Sequence, residues 1–236
     1  MHSNAINQDI NGILIVDKPQ DMTSHDVVDF VRRKFKIKKV GHAGTLDPMA
    51  TGVLVLLLGS YTKKSGTLSG DDKEYEGMLV LGAKTDTGDK YGKFIEGESH
   101  VSPVEKERLL LVFKEFTGPI SQTPPAFSAL KHKGTPLYKF ARKGIMIKKK
   151  PRDNFISKLE MLRYEYPDVA FRVSCSKGTY VRSLCQDIGE RLGCGGYLSQ
   201  LRRTKSGNFY LTDALAFEAL RSMTRDEVRK HLCPVQ

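Results

Sequence analysis

The chain has 236 residues, enough for one sizeable core or one core with a small appendage, and its 38 Lys and Arg against 27 Asp and Glu give a net charge of +11. The basic residues recur along the chain instead of forming a tail, which is the electrostatic footprint of a polyanion binder. The longest apolar run, Val53–Leu58, is too short to span a bilayer, the N-terminus lacks the pattern of a secretory signal, and the cysteines at 175, 185, 194 and 233 form no CxxC pair, so a membrane span, a disulfide framework and a zinc site are all excluded. Reduced thiols of this kind belong to a cytosolic protein.

Residues 1–11 are polar and read as a loose N-terminus. Gly12–Val16 is a short apolar strand running into Asp17-Lys18-Pro19, and Ser24 is the expected N-cap of a helix over 25–36 with Val27, Val28, Val31 and Phe35 as its core face. Arg32, Arg33, Lys34, Lys36, Lys38 and Lys39 crowd the end of that helix. Basic side chains suit a helix C-terminus, and they also suit a phosphate track. The next stretch, GHAGTLDPMATGVL at 41–54, combines three glycines, a Thr-Leu-Asp-Pro turn and no apolar period, then passes into the Val53–Leu58 strand. A Gly-rich polar loop beside a buried strand is where a scaffold usually presents chemistry. Asp47 is the only acidic side chain in it, and Pro48 biases Asp47 away from the helical region. A carboxylate held this way can act as nucleophile or base, although an Asp-Pro pair taken alone is more often a plain turn.

In Gly59–Ser65 the match to a phosphate loop fails, because Thr62 stands where a glycine must precede the Lys, and no nucleotide site is assigned. Lys73–Gly82 alternates as a strand, with Tyr75, Gly77, Leu79 and Leu81 on one face, and Thr85–Gly92 is a loop. Ser102-Pro103-Val104-Glu105 reads as a capping box with Pro at the first helical position, and Leu109, Leu110, Val112, Phe113 and Phe116 form the buried side of the helix it opens. Residues 119–135 read as one long shaped loop. Thr135-Pro136 then opens a short helix closed by Gly144, and Lys148-Lys149-Lys150 and Arg152 follow. Its length and its Pro, aromatic and basic content point to an RNA clamp that orders on binding. Phe155–Tyr164 and Val169–Ser176 pair around Pro167, and Thr179 is expected to cap a helix through Leu192, with Val181, Leu184, Cys185, Ile188 and Leu192 inward and Gly193 ending it. Tyr197–Arg203 is the last strand, followed by a turn at Ser206-Gly207 and two small helices, Thr212–Leu220 and Thr224–Leu232, the second opened by the capping box Thr224 to Glu227. Strands and helices mix without βαβ alternation, which predicts an α+β fold with a largely antiparallel mixed sheet flanked by helices.

The 41–54 loop closely resembles the signature loop of the TruB family, the bacterial pseudouridine synthases that modify the T loop of tRNA. Also similar to that family, and in its order, are GILIVDKPQDMTSHDVV at 12–28, KEYEGMLVLGAKTDTGD at 73–89, QTPPAFSALKHKGTPLYKFARKG at 122–144, CSKGTYVRSLCQDIGERLG at 175–193 and LRRTKSG at 201–207. The resemblance implies a pseudouridine-synthase catalytic domain over 12–210 with a thumb-like RNA-clamping insertion at 119–152. It implies isomerisation of the uridine at tRNA position 55 by a monomer that acts on the T arm with no obligatory protein partner. The chemistry breaks the N1–C1′ bond, turns the base and rejoins it through C5, so redox state and composition do not change and neither cofactor nor ATP nor metal is required. By resemblance, Asp47 is the essential carboxylate, Arg182 the arginine that pairs with it, and Tyr75 the tyrosine that stacks on the target base. Tyr180 and Leu201 line the same pocket, and His42 fills the space that the flipped uridine vacates. Lys18 and Pro19 support the catalytic loop from beneath.

Two departures stand out. Relatives usually continue into a PUA-type domain, whereas 29 residues follow Gly207, which predicts only a short helical C-terminus over 211–236. Gly195-Gly196-Tyr197 replaces a common Gly-Ala-His. The rival readings are a non-catalytic RNA-binding or RNA-folding protein on the same fold, and the same chemistry guided to a different RNA; the joint presence of Asp47, Tyr75 and Arg182 argues against the first.

Overall fold

The apolar run at 53–58 becomes the centre of one of the two units into which the chain divides: residues 1–71 with 204–236, and residues 72–203. The structure, a computed structural model, describes residues 10–95, 103–147 and 149–233. Most of the expected loose N-terminus, Ser102 and Lys148 therefore lie outside the described residues. No helix among the described residues is long and apolar enough to cross a membrane.

The first unit starts with β1 (Gly12–Lys18), α1 (Ser24–Lys34), β2 (Val40–Ala43) and β3 (Thr51–Leu58). Strand β3 pairs antiparallel with β1 over its whole length, from Gly12↔Leu58 to Lys18↔Gly52, and with β2 from Val40↔Leu58 to Ala43↔Val55. Ile13, Ile15, Ala43, Val53, Val55 and Leu57 form a core that Tyr61, Leu68, Phe209 and Leu211 pack against. Each such Val, Leu or Ile contributes roughly 2 kcal/mol when fully buried. Helix α1 buries Val27, Val28 and Val31, and Phe35 follows at its C-cap. Its N-cap is Thr23, not the expected Ser24: the Thr23 hydroxyl accepts from the Asp26 amide while the Asp26 carboxylate accepts from the Thr23 amide. The predicted loop 41–54 is also shorter than expected, because pairing with β3 draws 40–43 into a strand and β3 itself begins at Thr51. A 3-10 turn, Gly59–Lys64, and α2 (Ser65–Ser69) follow.

The second unit comprises β4 (Lys73–Leu81), α3 (Lys106–Glu115), β5 (Gly118–Gln122), the short hairpin β6 (Lys131–His132) and β7 (Thr135–Pro136), α4 (Leu137–Ala141), β8 (Arg152–Glu165), β9 (Asp168–Cys175), α5 (Val181–Leu192) and most of β10 (Gly196–Ser206). Its strands lie in the order β10-β4-β9-β8-β5. The β4–β9, β8–β9 and β5–β8 pairs are antiparallel. Strand β4 buries Tyr75, Leu79 and Leu81 on one face, as its alternation predicts. The expected inner face of α5 is buried throughout, and Gly193 closes the helix at φ 76°, a left-handed position that suits glycine.

Four expectations fail here. Helix α3 starts at Lys106, after the expected capping box, because the carbonyl of buried Val104 accepts from the Tyr164 hydroxyl and Glu105 holds extended dihedrals at the N-cap. Leu110, expected inside, is exposed. Part of the 119–135 loop is the edge strand β5, held to β8 from Gly118↔Ile156 to Gln122↔Arg152. In α5, Thr179 is spent on the Ser176 carbonyl at 2.9 Å and Tyr180 takes the N-cap.

The chain then returns to the first unit, where the end of β10 turns back on β11 (Phe209–Tyr210) with Lys205 opposite Tyr210. The helix expected over 212–220 is instead a 3-10 turn at Leu211–Asp213, a two-residue strand β12 (Leu215–Ala216) and α6 (Phe217–Ser222). Parallel pairing of Leu215 with Val16 on β1 holds those residues extended. Helix α7 (Arg225–Lys230) carries the predicted Thr224–Glu227 capping box. Among the described residues the pairing is largely antiparallel with this parallel addition, so the fold is α+β as read.

Candidate active site

Asp47 lies in the loop between β2 and β3, half-buried, and the backbone on either side of it is fixed. Before it, the Ser24 hydroxyl bonds Leu46 twice, accepting from the amide at 2.8 Å and donating to the carbonyl at 3.1 Å. After it, the Pro48 carbonyl accepts from the Asp21 amide at 2.9 Å and from the Lys18 ammonium at 3.3 Å. The Asp47 carbonyl itself closes a turn onto the Ala50 amide at 3.0 Å. Leu46, Met49 and Ala50 are buried, so apolar burial and hydrogen bonding together hold the loop. Gly44, at φ 84°, makes the bend out of β2 that a side chain would resist.

Lys18 explains how the loop's base is held. It is wholly buried, and its ammonium donates to three carbonyls: Pro19 at 2.8 Å, Met22 at 2.6 Å and Pro48 at 3.3 Å. Carbonyl oxygens can replace water around a buried cation only if several converge, and here the turn after β1 supplies two while the Asp47 loop supplies the third. Within this unit, Lys18, Pro19 and the Asp47 loop are thus one hydrogen-bonded group. His42 sits on β2 opposite Leu56, half-buried, with its carbonyl accepting from Ser65 at 3.1 Å. The basic end of α1 is partly committed: Arg32 and Arg33 face Asp29 at 3.0 and 3.9 Å, and the Lys34 ammonium donates to the Arg221 carbonyl at 2.6 Å. Lys36, Lys38 and Lys39 are exposed beyond it.

The second unit holds Tyr75, Tyr180, Arg182 and Leu201. Tyr75 is buried on β4 opposite Val173, and Leu201 is buried on β10. Arg182 occupies the first turn of α5, only 4% exposed. Its guanidinium donates to the carbonyls of Thr87 at 2.9 Å and Phe127 at 2.8 Å and stands 3.6 Å from the Asp89 carboxylate. Asp89, also buried, is fixed through its other oxygen by the Thr87 hydroxyl at 2.7 Å and the Tyr91 amide at 3.0 Å. A planar guanidinium clasped by two carbonyls and a carboxylate keeps its direction. Two further buried amides lie close by: Gln122 bonds both backbone groups of Tyr180, and Asn154 bonds Gln122.

Sequence reasoning missed Ser24, Asp89, Gln122 and Asn154. In sequence Ser24 reads as a helix cap, and the others fall in stretches that read as loop or strand; only the resemblance over 73–89 and 122–144 touches Asp89 and Gln122. Burial perturbs two further ionisable groups of α5. Asp187 is pushed up to about 6, first by desolvation and then by Glu190, and the buried Cys185 thiol is pushed far up.

Comparison with known proteins agrees with the fold. The family model described as TruB family pseudouridylate synthase (N terminal domain) matches residues 32–181, and that of the tRNA pseudouridylate synthase B C-terminal domain matches residues 182–236. Curated relatives named tRNA pseudouridine synthase B include one from Opitutus terrae, 46% identical over 97% of this chain and 94% of its own length. Another, from Syntrophotalea carbinolica, is 48% identical over 92% of this chain and 71% of its own length. Among solved structures, the chain matches one titled as a crystal structure of a Cbf5-Nop10-Gar1 complex with a TM-score of 0.73 at 31% identity, covering 95% of this chain and 60% of that one. The chain belongs to the TruB family of pseudouridylate synthases.

Proposed function

We propose that the protein isomerises uridine to pseudouridine at position 55 in the T loop of tRNA. The family membership and the relatives' shared name support the reaction and the substrate. The observation that carries the reading is the presentation of Asp47: one carboxylate in a loop whose neighbours, Leu46 and Pro48, are each bonded twice by residues outside the loop. Fixed presentation is what catalysis at a flipped nucleoside demands, since the carboxylate must meet the sugar without a conformational search.

In this reading Asp47 is the essential carboxylate, and Tyr75 and Arg182 serve the same reaction, Tyr75 against the face of the target base. Tyr180 and Leu201 line the base pocket, His42 takes the place of the extruded uridine, and Lys18 and Pro19 position the catalytic loop. The N1–C1′ bond breaks, the uracil turns, a C5–C1′ bond forms, the proton at C5 leaves and N1 ends protonated, so atoms and electrons balance within the substrate. The segment 119–152 clamps the RNA, with its stem β5 against β8, and exposed Lys36, Lys38 and Lys39 contact backbone phosphate. The protein works on the T arm as a cytosolic monomer. The test is an unmodified full-length tRNA transcript treated with the protein, with pseudouridine located by carbodiimide labelling and primer extension. A single new stop reporting position 55 is expected; a stop elsewhere contradicts the assigned position and favours the same chemistry on another uridine, and no stop beside intact tRNA binding contradicts the proposal and favours the RNA-binding alternative.

A further inference from the structure

Tyr180 is held by its backbone, through a side chain that no part of the reaction above uses. Its amide donates to the Gln122 Oε1 at 3.0 Å, and its carbonyl accepts from the Gln122 Nε2 at 3.3 Å. Because a backbone amide can only donate and a carbonyl only accept, this pair fixes the orientation of the Gln122 side chain without ambiguity. Asn154 Nδ2 donates to the same Oε1 at 3.1 Å. Gln122 is 2% exposed and Asn154 9%, so the three bonds lie out of water, where a missing one is costly. The Tyr180 carbonyl also accepts the first bond of α5, from the Leu184 amide at 3.0 Å, so the same peptide group begins the helix that carries Arg182.

The placement of the two amides matters as much as their bonds. Gln122 is the last residue of β5, paired with Arg152, and Asn154 lies on β8 opposite Ile120. They therefore stand on the two paired strands, β5 and β8, that bracket the described residues 123–147 and 149–151. The Phe127 carbonyl within that segment is in turn held by Arg182. We infer that Gln122, steadied by Asn154, is a positioning residue that couples the stem of the 119–152 segment to the backbone of Tyr180 and so sets the base pocket when the segment engages RNA. The inference rests on the reading of Tyr180 as a pocket residue.

The test is Gln122→Glu, which keeps shape and the acceptor toward the Tyr180 amide but, when ionised, turns a carboxylate oxygen toward the Tyr180 carbonyl. Single-turnover pseudouridine formation on saturating tRNA should fall about tenfold or more, the loss of one buried hydrogen bond made worse by repulsion, while tRNA Kd stays within about twofold. Protonation restores a donor to the Tyr180 carbonyl, and burial raises a carboxylate's pKa, so the variant-to-wild-type rate ratio should recover as pH is lowered from about 8 to about 6. A residue needed only for folding would not show that recovery. Asn154→Ala, measured alongside, should lower the rate by a smaller factor with Kd unchanged, and it decides the matter if Gln122→Glu does not fold. Wild-type rates in both variants, or losses that track Tm and tRNA affinity with no recovery at low pH, overturn the inference alone. A wild type that makes no pseudouridine in tRNA overturns the functional reading, and the inference falls with it.

Discussion

Replacing Ser24 by Ala separates two accounts of a single hydroxyl. As a helix cap its loss costs about 1 kcal/mol of stability and leaves catalysis alone. In the structure, Thr23 caps α1, and the buried Ser24 hydroxyl instead bonds both the amide and the carbonyl of Leu46, the residue before Asp47. Ser24→Ala leaves those two buried backbone groups without these partners, at roughly 1 kcal/mol each on the low side of the usual range. A loss of about 2 kcal/mol weakens the anchored state of the loop by about thirtyfold relative to released ones, since each 1.4 kcal/mol is tenfold, and kcat falls by up to that factor. Affinity for tRNA should hold, because Asp47 presentation and not RNA contact is disturbed. Thr23→Ala is the matched control: it loses the hydroxyl of the capping box, costing about 1 kcal/mol of stability with kcat within about twofold. Single-turnover rates, tRNA binding by filter retention and thermal melts of both variants distinguish the accounts. A normal kcat for Ser24→Ala, or equal catalytic losses in the two variants, refutes the anchoring argument.

Other outcomes follow from the same geometry. Asp89→Asn keeps the acceptor for Thr87 and Tyr91 but removes the charge facing Arg182, so the rate should drop by more than about tenfold with little change in RNA affinity, and an unaffected rate in single-turnover assays contradicts the pairing. Gly189→Ala, which in a helix interior normally gains up to about 1 kcal/mol, should instead lower Tm, because the new Cβ would lie 2.2 Å from the Gly195 carbonyl carbon and the Gly196 nitrogen; a raised Tm contradicts that packing. Asp187 titrates near 6 in the fold and near 3.8 in the open chain. Its folded pKa is the higher one, so its contribution is fully present at low pH and is lost as pH rises from about 4 to about 6, by clearly less than the roughly 3 kcal/mol of the full shift, because water partly screens the half-buried carboxyl. Asp187→Asn should therefore be more stable than the parent above about pH 6 and should flatten that part of the stability profile in urea titrations; unchanged profiles refute the assignment.

Much of this was legible in the chain because local signals and tertiary structure agreed. The α5 face from Val181 to Leu192 with Gly193 at its end, the β4 alternation and the Thr224–Glu227 capping box all satisfy local rules, and packing did not overrule them. Strands β2 and β5 were not legible. Their sequences, VGHA and GPISQ, have too few apolar residues for a period, and they are strands only because β3 and β8 offer partners. Ser24 misled because Thr23 and Ser24 are both good caps, and the choice was made by the Leu46 peptide, 22 residues away. In the 85–92 loop nothing local separates buried Asp89 from exposed Asp86, since the difference lies in Arg182, far along the chain. Asp47 itself was visible as the lone acid of a glycine-rich loop, but the buried Lys18 ammonium and the paired bonds that hold it appear only once the chain is folded.

The most direct test of the central claim is tritium release from a T-arm stem-loop carrying 5-tritiated uridine, with wild type and Asp47→Asn compared at equal RNA occupancy. The account predicts release by wild type at the position-55 equivalent and none by Asp47→Asn, with both proteins binding the RNA alike. Release by Asp47→Asn at the wild-type rate, or silence of both proteins on the stem-loop and on full-length tRNA, would contradict it.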